Sequence, residues 1–184
     1  MIQIKKRFQL FCVSATVIFN SGCSILSPEP TEISEAEACE QVKEIIAAYD
    51  KGFEKFKASQ VIVNNLGNVQ IWRTNKVFPG AKICQVWGWS SGLNSYNCSW
   101  QADDEVSAKS THDYSVQLLQ GCLSKQWTSQ TSQTKSGGLS TSFSLPASSN
   151  VVSINAFKES LTILENWKVN LYIGDKSNLN VDVQ

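Results

Sequence analysis

The amino-acid sequence predicts an α+β fold in which an antiparallel sheet packs against two helices. Residues 35–58 and 103–126 each place apolar side chains at helical spacing. Each of these segments is followed by short runs of β-branched and aromatic residues with the alternation of strands. The predicted order is helix, about three strands, helix, about three strands (α-βββ-α-βββ), and a duplicated α-plus-meander unit would produce it. One shared core for helices and antiparallel strands gives an α+β sandwich.

The first predicted helix begins at a capping box. Ser34 is placed to accept a hydrogen bond from the amide of Glu37, whose carboxylate can reach back to Ser34. Gly52 is a weak point inside the predicted range, because glycine disfavours a helix interior. The apolar stripe of this helix, with steps of three and four residues, consists of Cys39, Val42, Ile46, Tyr49, Phe53 and Phe56. We expect the stripe to face the core.

A hairpin is predicted in the middle of the chain, where residues 82–89 and 95–100 are rich in strand formers. If Ser91 lies at the centre of the turn, the numbers of facing residues sum to about 182, and Cys84 then faces Cys98. Facing residues in an antiparallel pair have Cβ atoms roughly 4.5 to 5.5 Å apart, which suits a disulfide after a small adjustment. The sequence therefore predicts a Cys84–Cys98 bridge.

The same turn contains GWSSG, which satisfies the G-x-S-x-G pattern of a serine hydrolase's nucleophile elbow. A triad in chain order would use Ser90, Asp103 or Asp104, and His112. However, a nucleophile elbow needs a helix directly after its turn, and the residues that follow this one show no helical period. We therefore interpret GWSSG as a hairpin turn and keep a hydrolase as the least favoured hypothesis.

The second predicted helix, from about residue 103 to 126, begins with acidic residues that suit its positive N-terminal end. Tyr114, Leu118 and Cys122 recur four residues apart along it. His112, the only histidine of the chain, is expected on the exposed or flanking side.

A second disulfide, Cys39–Cys122, is predicted from the positions of the two helices. Cys39 lies near the start of the first helix and Cys122 near the end of the second, and both belong to apolar stripes. These ends meet if the helices pack antiparallel. Four cysteines in an exported domain are typical of two disulfides.

The remaining strands are predicted from composition and alternation. They are residues 69–74, 139–145, 151–157 and 167–173. Residues 128–149 are dense in Ser and Thr, and we expect the first part of that stretch to be a flexible loop.

The N-terminus has the pattern of a secretory signal. Lys5, Lys6 and Arg7 precede a mostly apolar run over residues 8–19. This run is shorter than the roughly 20 residues needed to span a bilayer.

The residues that end this segment resemble the lipobox of bacterial lipoproteins. Asn20-Ser21-Gly22-Cys23 has the small residues and the cysteine of that motif, although Asn20 replaces the usual aliphatic residue, so ordinary signal-peptidase cleavage is the alternative. The resemblance implies cleavage before Cys23 and its acylation, palmitate included, and Ser24 is compatible with the outer membrane. Residues 1–22 are then the signal, 23–33 a tether and 34–184 a single disulfide-braced domain.

Charge and composition argue against several classes of function. Removing the signal leaves thirteen basic and sixteen acidic residues, a net charge of −3, which gives no electrostatic reason to bind nucleic acid. No C-x-x-C spacing accompanies the single histidine, and no cofactor fingerprint appears. We therefore expect neither a metal nor a cofactor.

The candidate binding residues are the aromatic side chains of the hairpin. Alternation puts Trp87 and Trp89 on one side of it and Tyr96 and Trp100 on the other, so the pattern leaves open which side is buried. The predicted function is a non-enzymatic lipoprotein, anchored in the outer membrane and facing the periplasm. It would bind another envelope protein as an accessory or immunity-type factor. A module that binds a small ligand or a cell-wall fragment is the alternative.

Overall fold

The computed structural model describes residues 33–61, 69–134, 137–159 and 166–179. They belong to one compact unit, Ile33–Gln184. The predicted signal, Cys23 and the predicted tether up to residue 32 lie outside the described residues.

The described residues form two helices and eight strands, and the α+β class is confirmed. The elements are α1 Glu35–Ala47, β1 Lys57–Val61, β2 Gln70–Thr74, β3 Ile83–Gly88, β4 Asn94–Ala102, α2 Glu105–Cys122, β5 Thr128–Gln133, β6 Leu139–Ser144, β7 Asn150–Glu159 and β8 Asn166–Asp175. Each helix is followed by four strands, so the predicted order with three strands after each helix is wrong in strand number.

The first helix is shorter than predicted, because α1 ends at Ala47. Gly52 and Phe53 both adopt a left-handed backbone, with φ of 60° and 58°, and two short 3-10 turns replace the rest of the predicted helix. The chain then enters β1. At the other end, Ser34 caps α1 through the predicted capping box with Glu37.

The strand β5 was also missed, because its sequence TSQTSQ contains no apolar residue. All six side chains are exposed, so the strand has no buried face that apolar alternation would reveal. Its pairing with β6 is what makes it a strand.

The strands form one antiparallel sheet in the order β1-β2-β3-β4-β8-β7-β6-β5. Each half is thus a helix followed by a meander, and the last strands of the two halves, β4 and β8, pair at the centre. Cys84 pairs with Cys98 in the register predicted from the turn.

The helices cover one face of the sheet. α2 packs against β4, β6, β7 and β8, and α1 packs against α2. The core between the layers includes Val42, Ile45, Phe53, Val86, Tyr96, Leu119, Ile154, Leu171 and Ile173, each at most 1% exposed. Neither helix of the described ranges has the length and apolar content needed to cross a membrane.

Candidate functional site

The pairing of the strands assigns each residue to a face, because directly paired residues of an antiparallel sheet point to the same side. One row of paired residues crosses six strands and consists of Cys84, Cys98, Leu171, Ile154, Thr141 and Thr131. His112 of α2 lies 3.1 Å from Thr141 (Nε2 to Oγ1), so this row faces the helices. The rows on either side of it therefore face away from the helices.

These two rows define what we call the open face. The first row consists of Gln85, Asn97, Tyr172, Ser153, Ser142 and Gln130, and the second of Ile83, Ser99, Asn170, Asn155, Ser140 and Ser132. Every residue except Ile83 carries an uncharged hydrogen-bonding group. The open face is therefore polar and neutral over most of its width, with Arg73 continuing the first row at the margin.

Two tryptophans stand at one end of the open face. Trp87 and Trp89 lie with ring centroids 5.7 Å apart and ring planes 49° from parallel. Each indole donates a hydrogen bond to a neighbour, Trp87 to Gln85 (3.1 Å) and Trp89 to Ser95 (2.9 Å). Because their N–H groups are held, the rings have fixed orientations and present apolar surface beside the amides.

Hydrogen bonds within and between strands hold polar side chains of the open face. The Asn155 carbonyl oxygen accepts from Ser140 (2.5 Å) and Ser153 (3.3 Å), and Asn97 donates to Ser95 (2.9 Å). Within the described part of the chain, the side chain of Asn170 forms no hydrogen bond. A surface held in this way is prepared to bind without reordering its side chains.

Tyr172 lies flat on the sheet at the centre of this face. It is only 7% exposed, and its hydroxyl donates to the backbone oxygen of Asp175 (2.8 Å). Burial raises the pKa of this hydroxyl, with the Asp175 charge adding to the effect. The ring passes over Gly174, where a Cβ atom would lie 2.6 Å from the Tyr172 oxygen, so glycine at 174 makes room for it.

The segment after β8 is pinned at the rim of the open face by Asp175. The Asp175 carboxylate accepts hydrogen bonds from the backbone N–H and the hydroxyl of Ser177 (2.8 and 2.6 Å) and from the hydroxyl of Tyr49 (3.0 Å). The hydrogen bonds from Ser177 lower the pKa of Asp175 well below its usual range. This anchor positions the residues that follow, including Leu179, against the open face.

A cavity of about 250 Å³ opens on this face. Its walls include Trp87, Trp89, Asn97, Asn155, Asn170, Tyr172, Asn178 and Leu179, and none of the described residues that line it is charged. Asn178 contributes a buried side-chain Nδ2 that has no hydrogen-bond partner within the described structure. A second cavity, of about 570 Å³, lies beside β5 and β6 and shares Leu179 with the first.

The structure separates the four predicted aromatic candidates. Trp87 and Trp89 lie on the open face. Tyr96 is fully buried on the helix side and donates to the backbone oxygen of Lys76 (2.8 Å). Trp100 packs edge-on against the buried ring of Phe78. Tyr96 is therefore a core residue and offers no binding surface, whereas Trp100 is partly buried and packs against the core on the helix side.

The amide and hydroxyl residues of the open face were missed by the sequence analysis. In β7 and β8, serine and asparagine alternate with valine, isoleucine and leucine, as in VSIN and VNLY. Serine and asparagine are common on any solvated strand, so only their alignment in paired rows distinguishes them. That alignment depends on the pairing of β4 with β8, which joins distant parts of the chain.

The geometry around Ser90 is that of a hairpin turn. Ser90 is exposed between β3 and β4, and β4 begins at Asn94 without an intervening helix. His112 was predicted on an exposed or flanking side, and this was wrong: its side chain is 2% exposed, between Asp113 and Thr141. Both ring nitrogens have a hydrogen-bond partner, as buried polar atoms require.

The four cysteines of the domain form the two predicted pairs. Cys39–Cys122 joins the start of α1 to the end of α2 (Cα–Cα 4.8 Å), and Cys84–Cys98 joins β3 to β4 (Cα–Cα 4.1 Å). Both members of the second pair are buried on the helix side of the sheet. Within the described ranges, no cluster of three or more histidine, cysteine or acidic residues is placed to hold a metal ion.

Comparison of the chain with protein-family models, with curated proteins and with solved structures gave no match.

Proposed function

We propose that this chain is an exported, non-enzymatic lipoprotein that binds another envelope protein through the open face of its sheet. Cys23 would carry the acyl anchor in the outer membrane, with the domain in the periplasm. The charged and apolar N-terminal residues and the lipobox-like segment support this location. The two disulfides suit an oxidising compartment.

The observation that carries the proposal is the composition of the open face. Surfaces that only face water are rich in Lys, Glu, Asp and Arg. The rows described above carry Asn, Gln, Ser and Tyr with a tryptophan pair beside them. That composition is similar to the binding surfaces of antibodies, where Tyr and Trp supply contact area and Ser and Asn supply adaptable hydrogen bonds.

The size of the open face suits a protein partner. The rows belong to a sheet face of eight strands, whose whole width at about 4.8 Å spacing is roughly 34 Å. A length of about 20 Å along the strands then gives roughly 700 Å², close to the ~800 Å² that each partner contributes to a standard interface. The partner surface should be neutral where it meets the rows, because a charge buried there would have no counter-charge.

Site-specific photo-cross-linking in intact cells tests this proposal. A photoreactive residue placed at Ser99 or Asn170 should give one dominant adduct with another envelope protein, identified by mass spectrometry. The matched control is Ser110, an exposed position on α2, which should not give that adduct. An absence of adducts from both open-face positions, with the protein correctly exported, would contradict the proposal.

The non-enzymatic part of the proposal has its own test. The exported protein should not be labelled at Ser90 by a fluorophosphonate probe, because the residue lies in a strand–turn–strand context. Labelling that disappears in Ser90→Ala would restore the hydrolase hypothesis.

A second candidate function, binding of a neutral cell-wall saccharide, is favoured by the cavity on the open face. Its volume of about 250 Å³ holds roughly eight waters at ~30 Å³ each. The unpartnered Nδ2 of Asn178 would gain an acceptor from a sugar hydroxyl or acetamido group. Trp87 and Trp89 offer flat apolar surface for the ring.

Tryptophan fluorescence distinguishes this candidate from a purely protein-binding function. The trimer of N-acetylglucosamine, which is uncharged, should change the emission of the full chain and should do so more weakly in Asn178→Ala. Trp87→Phe removes one tryptophan that would report on the cavity. Trp100, which is partly buried and packs against the core, is retained in both variants as a check on folding. No emission change at millimolar trimer would remove the saccharide candidate and leave the protein-binding proposal standing.

We also propose that the domain arose from a duplicated α-plus-meander unit. The support is the equivalent succession of one helix and four strands in each half and the pairing of the two halves through their last strands.

A further inference from the structure

The two edges of the sheet differ in how they are protected against pairing with another strand. At the β1 edge, the register with β2 is interrupted by a bulge between Lys57 and Gln60. The Lys57 ammonium lies 4.0 Å from the centroid of the Trp72 ring. Bulges and lysines are the features by which natural sheets prevent edge pairing.

The β5 edge has neither feature. Thr128–Gln133 pairs with β6 in an unbroken register over all six residues. Its sequence, TSQTSQ, contains no charge and no proline, and every side chain in it is exposed. A regular, uncharged and uncovered edge strand is a template for one more strand.

The hydrogen bonds of the hairpin show which backbone groups of β5 point outward. The Thr134 amide donates to the Gly138 oxygen (2.9 Å), which makes this a hydrogen-bonded pair in the β5–β6 register. Hydrogen-bonded and non-hydrogen-bonded pairs alternate in an antiparallel ladder. Ser129, Thr131 and Gln133 therefore belong to non-hydrogen-bonded pairs with β6, and their N–H and C=O groups point away from the sheet.

These three residues are arranged symmetrically about Thr131. If a second β5 approaches antiparallel with Thr131 facing its own copy, Ser129 of each chain faces Gln133 of the other. All outward N–H and C=O groups of the three residues then form hydrogen bonds, six in total across the contact. The contact is isologous, which is the usual geometry of a two-fold dimer.

The side chains of β5 permit this pairing. On the open face, Gln130 of one chain would lie opposite Ser132 of the other, so the contact brings no like charges together. Facing residues point to the same side of the joined sheet, so the rows of the open face would continue from one copy into the other. An extended segment of a different protein would pair by the same backbone groups but would have no two-fold relation to them.

We propose that β5 is a self-association edge and that two copies of this chain pair antiparallel through it, centred on Thr131. The result is a continuous sixteen-stranded sheet whose open faces lie side by side. The pairing uses outward backbone groups of Ser129, Thr131 and Gln133, whereas the open face would bind its partner through side chains.

A charge-swap experiment with full-length, exported chains tests this pairing. Two tagged copies are co-expressed, the envelope is extracted in detergent, and co-isolation of one tag with the other is measured. The variant Gln130→Lys/Ser132→Lys places lysine opposite lysine twice in the proposed register, and co-isolation with itself should fall roughly tenfold or more. Co-isolation should return when this variant is expressed with Gln130→Glu/Ser132→Glu, because each lysine then faces a glutamate.

The opposite edge supplies the matched control. Ser59→Lys/Gln60→Lys adds the same charges to β1, where both residues are exposed, and should co-isolate with itself as the unchanged protein does. Absence of co-isolation between unchanged copies would overturn the proposal. Undiminished association of the Lys/Lys variant with itself, or failure of the Lys and Glu variants to associate with each other, would also overturn it, and would favour a foreign strand at this edge or a contact elsewhere.

Discussion

The two faces of the sheet use the same strands for different purposes. On the helix side, the central paired row carries Cys84, Cys98, Leu171 and Ile154, which are buried between the layers. The residue next to each of these in its strand points to the open side. Those neighbours form a paired row of Gln, Asn, Tyr and Ser. A single step along the strand therefore separates apolar packing from neutral hydrogen bonding.

This difference indicates where stability and recognition are located. Packed apolar side chains and disulfides stabilise the fold, and their loss leaves cavities or a longer free loop. Neutral polar side chains that stay partly exposed on the open face, such as Ser99 and Asn170, contribute little to folding, because water offers them the same hydrogen bonds. Changes on the helix side should thus affect folding, and changes on the open side should affect binding.

The largest expected effect is the loss of the Cys39–Cys122 disulfide on the helix side. The bridge joins residues 83 positions apart, and the loop-entropy estimate for such a loop is about 4.5 kcal/mol. Replacing both cysteines by alanine should lower the free energy of unfolding in urea by about this amount.

Replacing Cys84 and Cys98, which are 14 positions apart, by alanine should lower the free energy of unfolding by about 3 kcal/mol. A larger loss from the shorter loop would show that chain entropy does not govern these bridges.

Tyr96→Ala should have the next largest effect on stability. The ring is fully buried against Phe53 and Phe56, and its hydroxyl is held by the backbone of Lys76. Truncation should cost about 3 to 5 kcal/mol in urea unfolding. Trp87→Ala, the comparison on the open face, should cost clearly less, and equal losses would mean that the two faces are not different in role.

Asp175→Asn should have a smaller effect, with a distinct dependence on pH. The pKa of Asp175 is lowered in the folded protein, chiefly by hydrogen bonds from Ser177, so its carboxylate stabilises the fold above the ordinary aspartate pKa. This contribution is lost as the pH falls below that value towards the folded pKa. Urea unfolding between pH 2 and pH 6 should show a shallower acid-side decline for Asp175→Asn than for the unchanged protein. Parallel curves would mean that the anchor of this segment contributes nothing measurable.

Local features of the fold were predictable from the sequence. The capping box at Ser34 and the register of Cys84 with Cys98 depend on residues close together in the chain, and both were predicted. The end of α1 was missed because apolar spacing continues through Phe53 and Phe56. Gly52 and Phe53 turn left-handed there, and the two phenylalanines reach the core from 3-10 turns instead.

The non-local features were not predictable in the same way. Large aromatic residues occur on both sides of the β3–β4 hairpin, so composition did not reveal that Tyr96 is inside and Trp87 outside. The rows of the open face exist only because β4 pairs with β8, a contact between residues more than seventy positions apart. His112 was misplaced because its partner Thr141 lies on a strand that follows later in the chain.

The claim that the open face is the recognition surface is tested most directly by one substitution at the middle of that face. Asn170→Lys adds a charge to the neutral row beside Ser99, with no described hydrogen bond of the Asn170 side chain to lose. We predict that the free energy of unfolding changes by less than about 1 kcal/mol and that the partner adduct from a photoreactive residue at Ser99 disappears. An Asn170→Lys protein that keeps the adduct, or that unfolds like Tyr96→Ala, would contradict the assignment of recognition to the open face.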